Sequence, residues 1–428
     1  MLLLTFLFLS LTSITITPAL LELNSLDTLS TIDQLITTTD KAPINNIPED
    51  AHLTTLELVE KYGYNGERHI VTTCDGYILE LHRVTGRANS NDSSEKKPVA
   101  LLIPGLRACS ACWIIGGPGK SLGYILADAG YDVWLGNMRG TTYSLKHVNK
   151  STSDEEYWDF SWHEMGTRDL PAIIDYTLEI TGQKQLVYLA HSQGTTNFFV
   201  LASEKPEYQD KIKIMFAMAP IAYCGKMNNP KIQAIAEVIA QHTTDKMRPL
   251  LRLYELKPAS KGLELLQKIA CAQEGTELFC SNSPLTFGSG GKGHFDSTML
   301  SIIKGRNLTS ASMKQLIHLS QLVATGSFIT SGKFKQYDYG LSGNKEKYNS
   351  STPPDYNLRK IQTPVLLFYS TNDELADNDD VDHLYKELGN PYGKFLVANG
   401  DYTHVDFLYA YNVRSVLYDH IVNIMKDF

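Results

Sequence analysis

The chain has 428 residues, 43% of them hydrophobic and 20% charged, with a formal net charge of −8. This length holds one large domain carrying an insertion, or two domains. The acidic balance excludes a basic nucleic-acid face and charge-driven attachment to anionic membranes, and the absence of a fixed-period repeat excludes solenoids and propellers.

The chain opens on an apolar run with no acidic or basic side chain before Glu22 and small residues near Ala19. Residues 1–19 therefore read as a signal peptide, with a retained signal anchor as the alternative. Residues 20–50, rich in Thr, Asn, Asp and Pro without a period, read as a loosely ordered lead-in or pro-segment. Export agrees with four N-x-S/T triplets, at Asn91, Asn149, Asn307 and Asn349, as glycan candidates. It also agrees with six cysteines, all outside the apolar run. Cys271 and Cys280 are close enough in sequence that a bridge between them would contribute roughly 2–3 kcal/mol. Cys109 and Cys112 form a C-x-x-C with no second such pair, which argues against zinc and for a local disulfide or two thiols.

A helix is predicted through the stretch TTLELVEKYGY, from Thr54. Strands are predicted over Glu67–Thr72 and Tyr77–Arg83, with a turn at Cys74-Asp75-Gly76. After a polar loop at 88–97, VALLIPG is a continuous apolar run that suits a strand buried on both faces. The pieces then alternate: a helix ending at Gly130, strand YDVWLGN, a helix ending at Gly182, strand QLVYLA, helix TTNFFVLASEK, strand KIMFAMAP. Such alternation implies βαβ units and a parallel sheet. From 225 to 356 the strand rhythm stops, giving way to helical patterning and the glycine-rich patch GSGGKG (288–293). Alternation resumes with TPVLLFYS, helix VDHLYKELG, strand KFLVAN and a closing helix from about Asn412. The predicted organisation is an α/β core, 51–224 and 357–428, interrupted by a mostly helical cap at 225–356.

QLVYLA runs through AHSQG directly into a helix, which places Ser192 at the apex of a strand–turn–helix with small residues at Ala190 and Gly194. A serine hydroxyl needs a base and a group that orients the base. TPVLLFYS ends at Asp373, and the loop after KFLVAN carries His404, so both sit where strands end. Asp377 and Asp379 stand further from the strand end and suit helix capping or solvent. Asp401 and Asp406 flank His404 and offer local orientation of it, and His383 lies in a helical pattern on the surface. His191 neighbours the serine with its side chain directed away from that of Ser192. Oxyanion donors are expected in the backbone N–H groups of Gln193 and Leu106, the latter after Pro104-Gly105. No His/Asp/Glu cluster shows metal-ligand spacing, and no cofactor is expected.

Taken together these residues resemble the acid lipase family, the gastric and lysosomal lipases and their insect relatives, from about Leu53 to the C-terminus. The likeness is carried by YGYNGERHIVTTCDGYILELHR, LADAGYDVWLGNMRGTTYS, AHSQGTT, GKFKQYDYG, TNDELAD and THVDF. It implies the α/β-hydrolase fold with a mostly parallel sheet and a helical cap. It also implies Ser192 as nucleophile, Asp373 as acid, His404 as base, Leu106 and Gln193 as oxyanion positions, and a Cys271–Cys280 bridge. Neutral lipid esters at a lipid–water interface, a lid within 255–290, and a secreted or lysosomal protein without a transmembrane segment in its mature form follow from the same likeness. Three positions depart from the family pattern: Asn65 replaces a usual proline, Pro104 a usual histidine, and Ala190 the first glycine of the serine turn. Two other functions fit the same sequence, a non-catalytic lipid-binding or storage protein on a hydrolase scaffold and an esterase for small soluble esters.

Overall fold

The computed structural model describes residues 49–88, 96–227, 309–323 and 332–428, together with 233, 254–256, 294, 299 and 303. The predicted signal peptide and most of the predicted lead-in, the predicted lid beyond Leu256, Cys271 and Cys280, and Asn91 and Asn307 lie outside the described residues.

Helix α1 (Thr55–Lys61) starts where Thr54 and Glu57 cap each other's backbone N–H groups. Its last residue, Lys61, pairs with Glu49 and Asp50, the described end of the lead-in. Strands β1 (Tyr64–Thr72) and β2 (Tyr77–Arg87) form an antiparallel pair, longer than the apolar pattern suggested. Buried strand β3 (Val99–Ile103) follows, then α2 (Leu122–Asp128), β4 (Asp132–Leu135) and the short β5 (Lys146–His147). Helix α3 (Leu170–Thr181) carries Pro171 in its first turn and ends at a left-handed Gly182, as its sequence predicts. It leads to β6 (Leu186–His191), α4 (Gln193–Glu204) and β7 (Ile212–Met218).

Between β7 and the next sheet strand, the described residues hold a small antiparallel pair, β8 (Glu255–Leu256) with β9 (Ala311–Ser312), and helices α5 (Met313–Leu322) and α6 (Gly340–Tyr348). The sheet then continues with β10 (Val365–Tyr369), α7 (Asn378–Glu387) and β11 (Pro391–Leu396), before the closing helices α8 (Asp406–Tyr409) and α9 (Asp419–Met425). Strand β11 ends earlier than the run KFLVAN suggested, because Ala398 and Asn399 take left-handed backbone in the turn beyond it.

Among the described residues the main sheet has nine strands, in the order β1-β2-β4-β3-β6-β7-β10-β11, with β5 beside β2. From β4 to β11 every neighbouring pair is parallel. This is the α/β-hydrolase fold, a mostly parallel central sheet with helices. Strands β3 and β6 are buried along their whole length, each large apolar side chain contributing roughly 1.5–3 kcal/mol of transfer free energy. Phe216, Phe368 and Phe395 stack across β7, β10 and β11 and tie the outer strands to the centre.

A buried ion network braces the structure beyond the carboxyl end of β4. Arg139, 1% exposed, bonds Asp169 at the start of α3 (Nε–Oδ1 2.7 Å) and Asp75 in the β1–β2 turn (Nη1–Oδ2 2.7 Å). Its guanidinium also lies 3.9 Å from the centre of the Tyr77 ring.

Candidate active site

Strand β4 lies on one side of β3 and β6 on the other, so the chain's winding reverses between them. At such a reversal the loops after neighbouring strands diverge and leave a crevice at their carboxyl ends. Leu106 follows β3 and Ser192 follows β6, so both stand at this crevice.

Ser192 has φ 54° and ψ −127°, a conformation that side chains other than glycine seldom take. The turn is locked from two directions. Thr195 donates its hydroxyl to the Ser192 carbonyl (2.7 Å), and the same hydroxyl accepts the Ile221 N–H (3.0 Å). The turn also packs against the end of β3, where a Cβ at Gly194 would overlap the Ile103 carbonyl oxygen and stand 2.8 Å from that of Pro104. A Cβ at Gly105 would stand 2.9 Å from Ser192 Cβ, so glycine at both places is a condition of the close approach. Ala190, by contrast, fits as it stands: it is fully buried and pairs with Ile103 in the parallel ladder.

His404 Nε2 lies 2.7 Å from Ser192 Oγ, and its Nδ1 lies 2.9 and 3.0 Å from the two oxygens of Asp373. The structure thus brings Ser192, His404 and Asp373 into one hydrogen-bonded line. Asp373 Oδ1 also accepts the N–H groups of Leu375 and Ala376 (2.9 and 3.0 Å). Burial alone raises the Asp373 carboxyl, but His404 and these N–H groups outweigh it and hold the group below its ordinary value. Its negative charge is therefore present above the ordinary carboxylate range and is lost only as pH falls through the lowered value.

The other acids take other work. Asp377 caps α7, accepting the Asp379 N–H at 2.8 Å, and Asp379 is exposed. His383 is exposed and stacks on Tyr223. Asp406, fully buried, accepts the N–H and hydroxyl of Thr403 (2.8 and 2.7 Å), so it fixes the loop beside His404 while Asp373 holds the imidazole.

Leu106 and Gln193 line a cleft with Ser192 and His404, and among the described residues nothing accepts a hydrogen bond from their backbone N–H groups. The Gln193 N–H opens twelve-residue α4, whose N-terminus favours negative charge. Apart from Thr196, the remaining wall is apolar: Trp162, Ile221, Met227, Leu319 and Leu375. Leu319 comes from α5, within the segment between β7 and β10, so that segment supplies part of the wall. Behind Trp162 lies His318, its ring centre 3.8 Å away and nearly parallel.

A second serine–histidine–carboxylate line exists elsewhere. Ser110 Oγ lies 2.7 Å from His82 Nδ1, and His82 Nε2 lies 2.9 Å from Glu80 Oε1. Ser110 is fully buried and shares a hydrogen bond with Thr55, so no substrate reaches it and the line serves as internal bracing. Sequence reasoning passed over it, since nothing in residues 80, 82 and 110 announces the contact.

It also missed His294, from the segment before α5. His294 Nδ1 bonds Asp406 Oδ2 (3.1 Å), its Nε2 bonds Asp401 Oδ2 (3.0 Å), and the rings of Tyr402 and Tyr411 pack beside it. The hydrogen bond to Asp406, then the two carboxylate charges, raise the His294 pKa above its ordinary value. The clamp is fully charged below the ordinary histidine value and weakens as pH rises through the raised one. Hydrogen exchange over 403–411, corrected for intrinsic rate, should therefore increase from about pH 6 to about pH 9. The step should vanish in His294→Ala, whose exchange is fast throughout.

Cys109 and Cys112 lie buried at the 3-10 turn Ser110–Trp113 as thiols rather than as a local bridge. Asn149 and Asn349 are exposed. Among the described residues no helix is long and apolar enough to cross a membrane, and no cluster of three His, Cys, Asp or Glu could hold a metal ion.

Residues 55–117 match the family model of the partial alpha/beta-hydrolase lipase region, and residues 98–241 that of the alpha/beta hydrolase fold. Lipase 1 of Drosophila melanogaster is 37% identical over 90% of this chain and 82% of its own length. Gastric triacylglycerol lipase of Bos taurus is 34% identical over 88% of this chain and 92% of its own. Lipase member K of Homo sapiens is 33% identical over 90% of this chain and 93% of its own.

Proposed function

Because this chain belongs to the acid lipase family, with the gastric and insect lipases it matches, we propose that Ser192 is its nucleophile, His404 its general base and Asp373 the carboxylate that orients the base. The protein is a lipase, a serine ester hydrolase acting on lipid esters. One observation carries the assignment of roles: the Asp373–His404–Ser192 line ends beside two unengaged N–H groups at the floor of an apolar cleft.

His404 takes the Ser192 proton as Oγ attacks the ester carbonyl, and Asp373 stabilises the imidazolium that forms. The carbonyl oxygen, now negative, receives the N–H groups of Leu106 and Gln193, each donor contributing about 3–4 kcal/mol to the barrier reduction. His404 then returns the proton to the leaving alcohol. Water, activated by the same imidazole, hydrolyses the acyl-enzyme and restores Ser192.

The apolar wall supports an acyl chain rather than a polar substituent, and triacylglycerols and sterol esters are the substrates that fit it. The segment 225–356 forms the cap over this cleft, with 51–224 and 357–428 as the core and a lid within 255–290. Entry into the secretory route, with glycans at Asn91, Asn149, Asn307 and Asn349, a Cys271–Cys280 bridge and delivery outside the cell or to the lysosome, completes the reading.

Rates on emulsified long-chain triacylglycerol and on a short soluble ester, compared with the full chain, test the substrate. We expect the emulsion to be favoured at least about tenfold in kcat/KM. Preference for the monomeric ester would make the protein a small-ester esterase. No turnover of either, together with no labelling by a fluorophosphonate, would make it a lipid-binding protein.

A further inference from the structure

The base reaches the nucleophile across a long span. In the sheet, β11, which leads to His404, is three strands from β6, which leads to Ser192. At about 4.8 Å per strand the loop after β11 must return roughly 14 Å over the sheet end. The loop is tied to the loop after β10, where the Asn372 N–H donates to the Gly400 carbonyl (3.0 Å). Toward β6, however, one side-chain hydrogen bond, His404 to Ser192, is a soft tie, and a displacement of about 1 Å in a reacting group costs up to about a hundredfold in rate.

A second tie is present. His191 is the last residue of β6, held in the ladder opposite Met218 and almost fully buried. Its Nε2 lies 2.7 Å from the backbone carbonyl oxygen of His404. A carbonyl only accepts, so Nε2 carries the proton and donates it. The His191 ring centre is 4.9 Å from that of His404 and 6.5 Å from that of Phe407, so the contact is packed as well as bonded. The oxyanion loop meets the same residue: a Cβ at Gly105 would stand 3.3 Å from the His191 carbonyl oxygen and 3.4 Å from Nδ1. The strand of the nucleophile, the loop of the base and the loop of the oxyanion donor all converge on one imidazole.

We propose that His191 is a positioning residue of the hydrolysis, its Nε2–H holding the His404 backbone so that the catalytic imidazole stays in line with Ser192. This rests on the reading of Ser192, His404 and Asp373 as the triad. His191 touches neither substrate nor reacting atoms and acts through His404. Burial first, then the neighbouring His404, holds the His191 pKa at about 3, against the smaller opposing pulls of the His404 carbonyl and Asp373. The ring is therefore neutral across the working range, and the tie adds no positive charge against the imidazolium formed on His404 during proton transfer.

Two variants of the full chain test this. His191→Phe keeps a ring of similar size and removes the donor, while His191→Gln restores an N–H on a flexible chain. We expect His191→Phe to lower kcat by on the order of 10–100-fold with KM within about twofold, and to slow fluorophosphonate reaction at Ser192 in parallel. His191→Gln should recover most of both rates. If His191→Phe does not fold, His191→Leu answers the same question. The inference fails if the folded apolar variant keeps kcat and labelling rate within about twofold of wild type, or if His191→Gln is as slow as the apolar variant. Wild-type labelling at a residue other than Ser192 would instead overturn the triad reading, which separates the two failures.

Discussion

Replacing Ser192 by alanine should leave a folded protein that hydrolyses esters on the order of 10⁴–10⁶-fold more slowly than wild type. The size follows from the geometry. His404 Nε2 sits 2.7 Å from the hydroxyl and has no other described group to deprotonate, so removing Oγ leaves the base without a nucleophile. The residual rate reflects water attack assisted by the Leu106 and Gln193 N–H groups. Folding should survive, because the turn is held by the Thr195 hydroxyl and by the close packing of Gly194 against β3, neither of which uses Ser192 Oγ. His404→Ala should cost a similar amount, and the double variant little more, because the two act as one unit. Thermal unfolding and ester hydrolysis on the same preparation check both parts.

Replacing Asp169 by alanine should have the largest effect on stability, about 3–5 kcal/mol. Asp169 is fully buried and engages Arg139 three times, through the backbone N–H (3.0 Å), Nε (2.7 Å) and Nη2 (2.6 Å). Its loss strands a buried guanidinium with only Asp75, which also serves Arg168. The damage is mostly that stranded charge, so adding Arg139→Met to Asp169→Ala should recover part of the loss. Denaturant unfolding of the single and double variants measures it. A double variant less stable than the single would contradict the account.

The chain's own pattern made the centre of this molecule readable and its periphery less so. Strands β3, β6, β7 and β10 are buried along nearly all their length, so they appear as mostly apolar runs; Ser192 stands directly after β6 and Asp373 in the loop after β10. The edges carry less signal. Along β1 only Tyr64 is buried, so its polar start gave no period to read, and half-exposed β11 shaded into an apolar turn without a visible boundary. The contacts made by His191 and His294 were also out of reach. His191 bonds a backbone carbonyl 213 residues away, an acceptor every residue possesses, and His294 joins Asp406 from a segment with no strand rhythm. Strand alternation gave no sign of the loop that the His191 ring meets. Of the two departures from the family pattern in the site, Ala190 fits the ladder, where it pairs with Ile103.

The presence of two serine–histidine–carboxylate lines in one chain gives the most direct test of the central claim, that accessibility together with geometry makes Ser192 the nucleophile. Wild-type protein reacted with a fluorophosphonate and digested should carry the adduct on the peptide containing Ser192, with none on the peptide containing Ser110. An adduct on Ser110, or unmodified Ser192 in a protein that has lost its activity to the reagent, would contradict it.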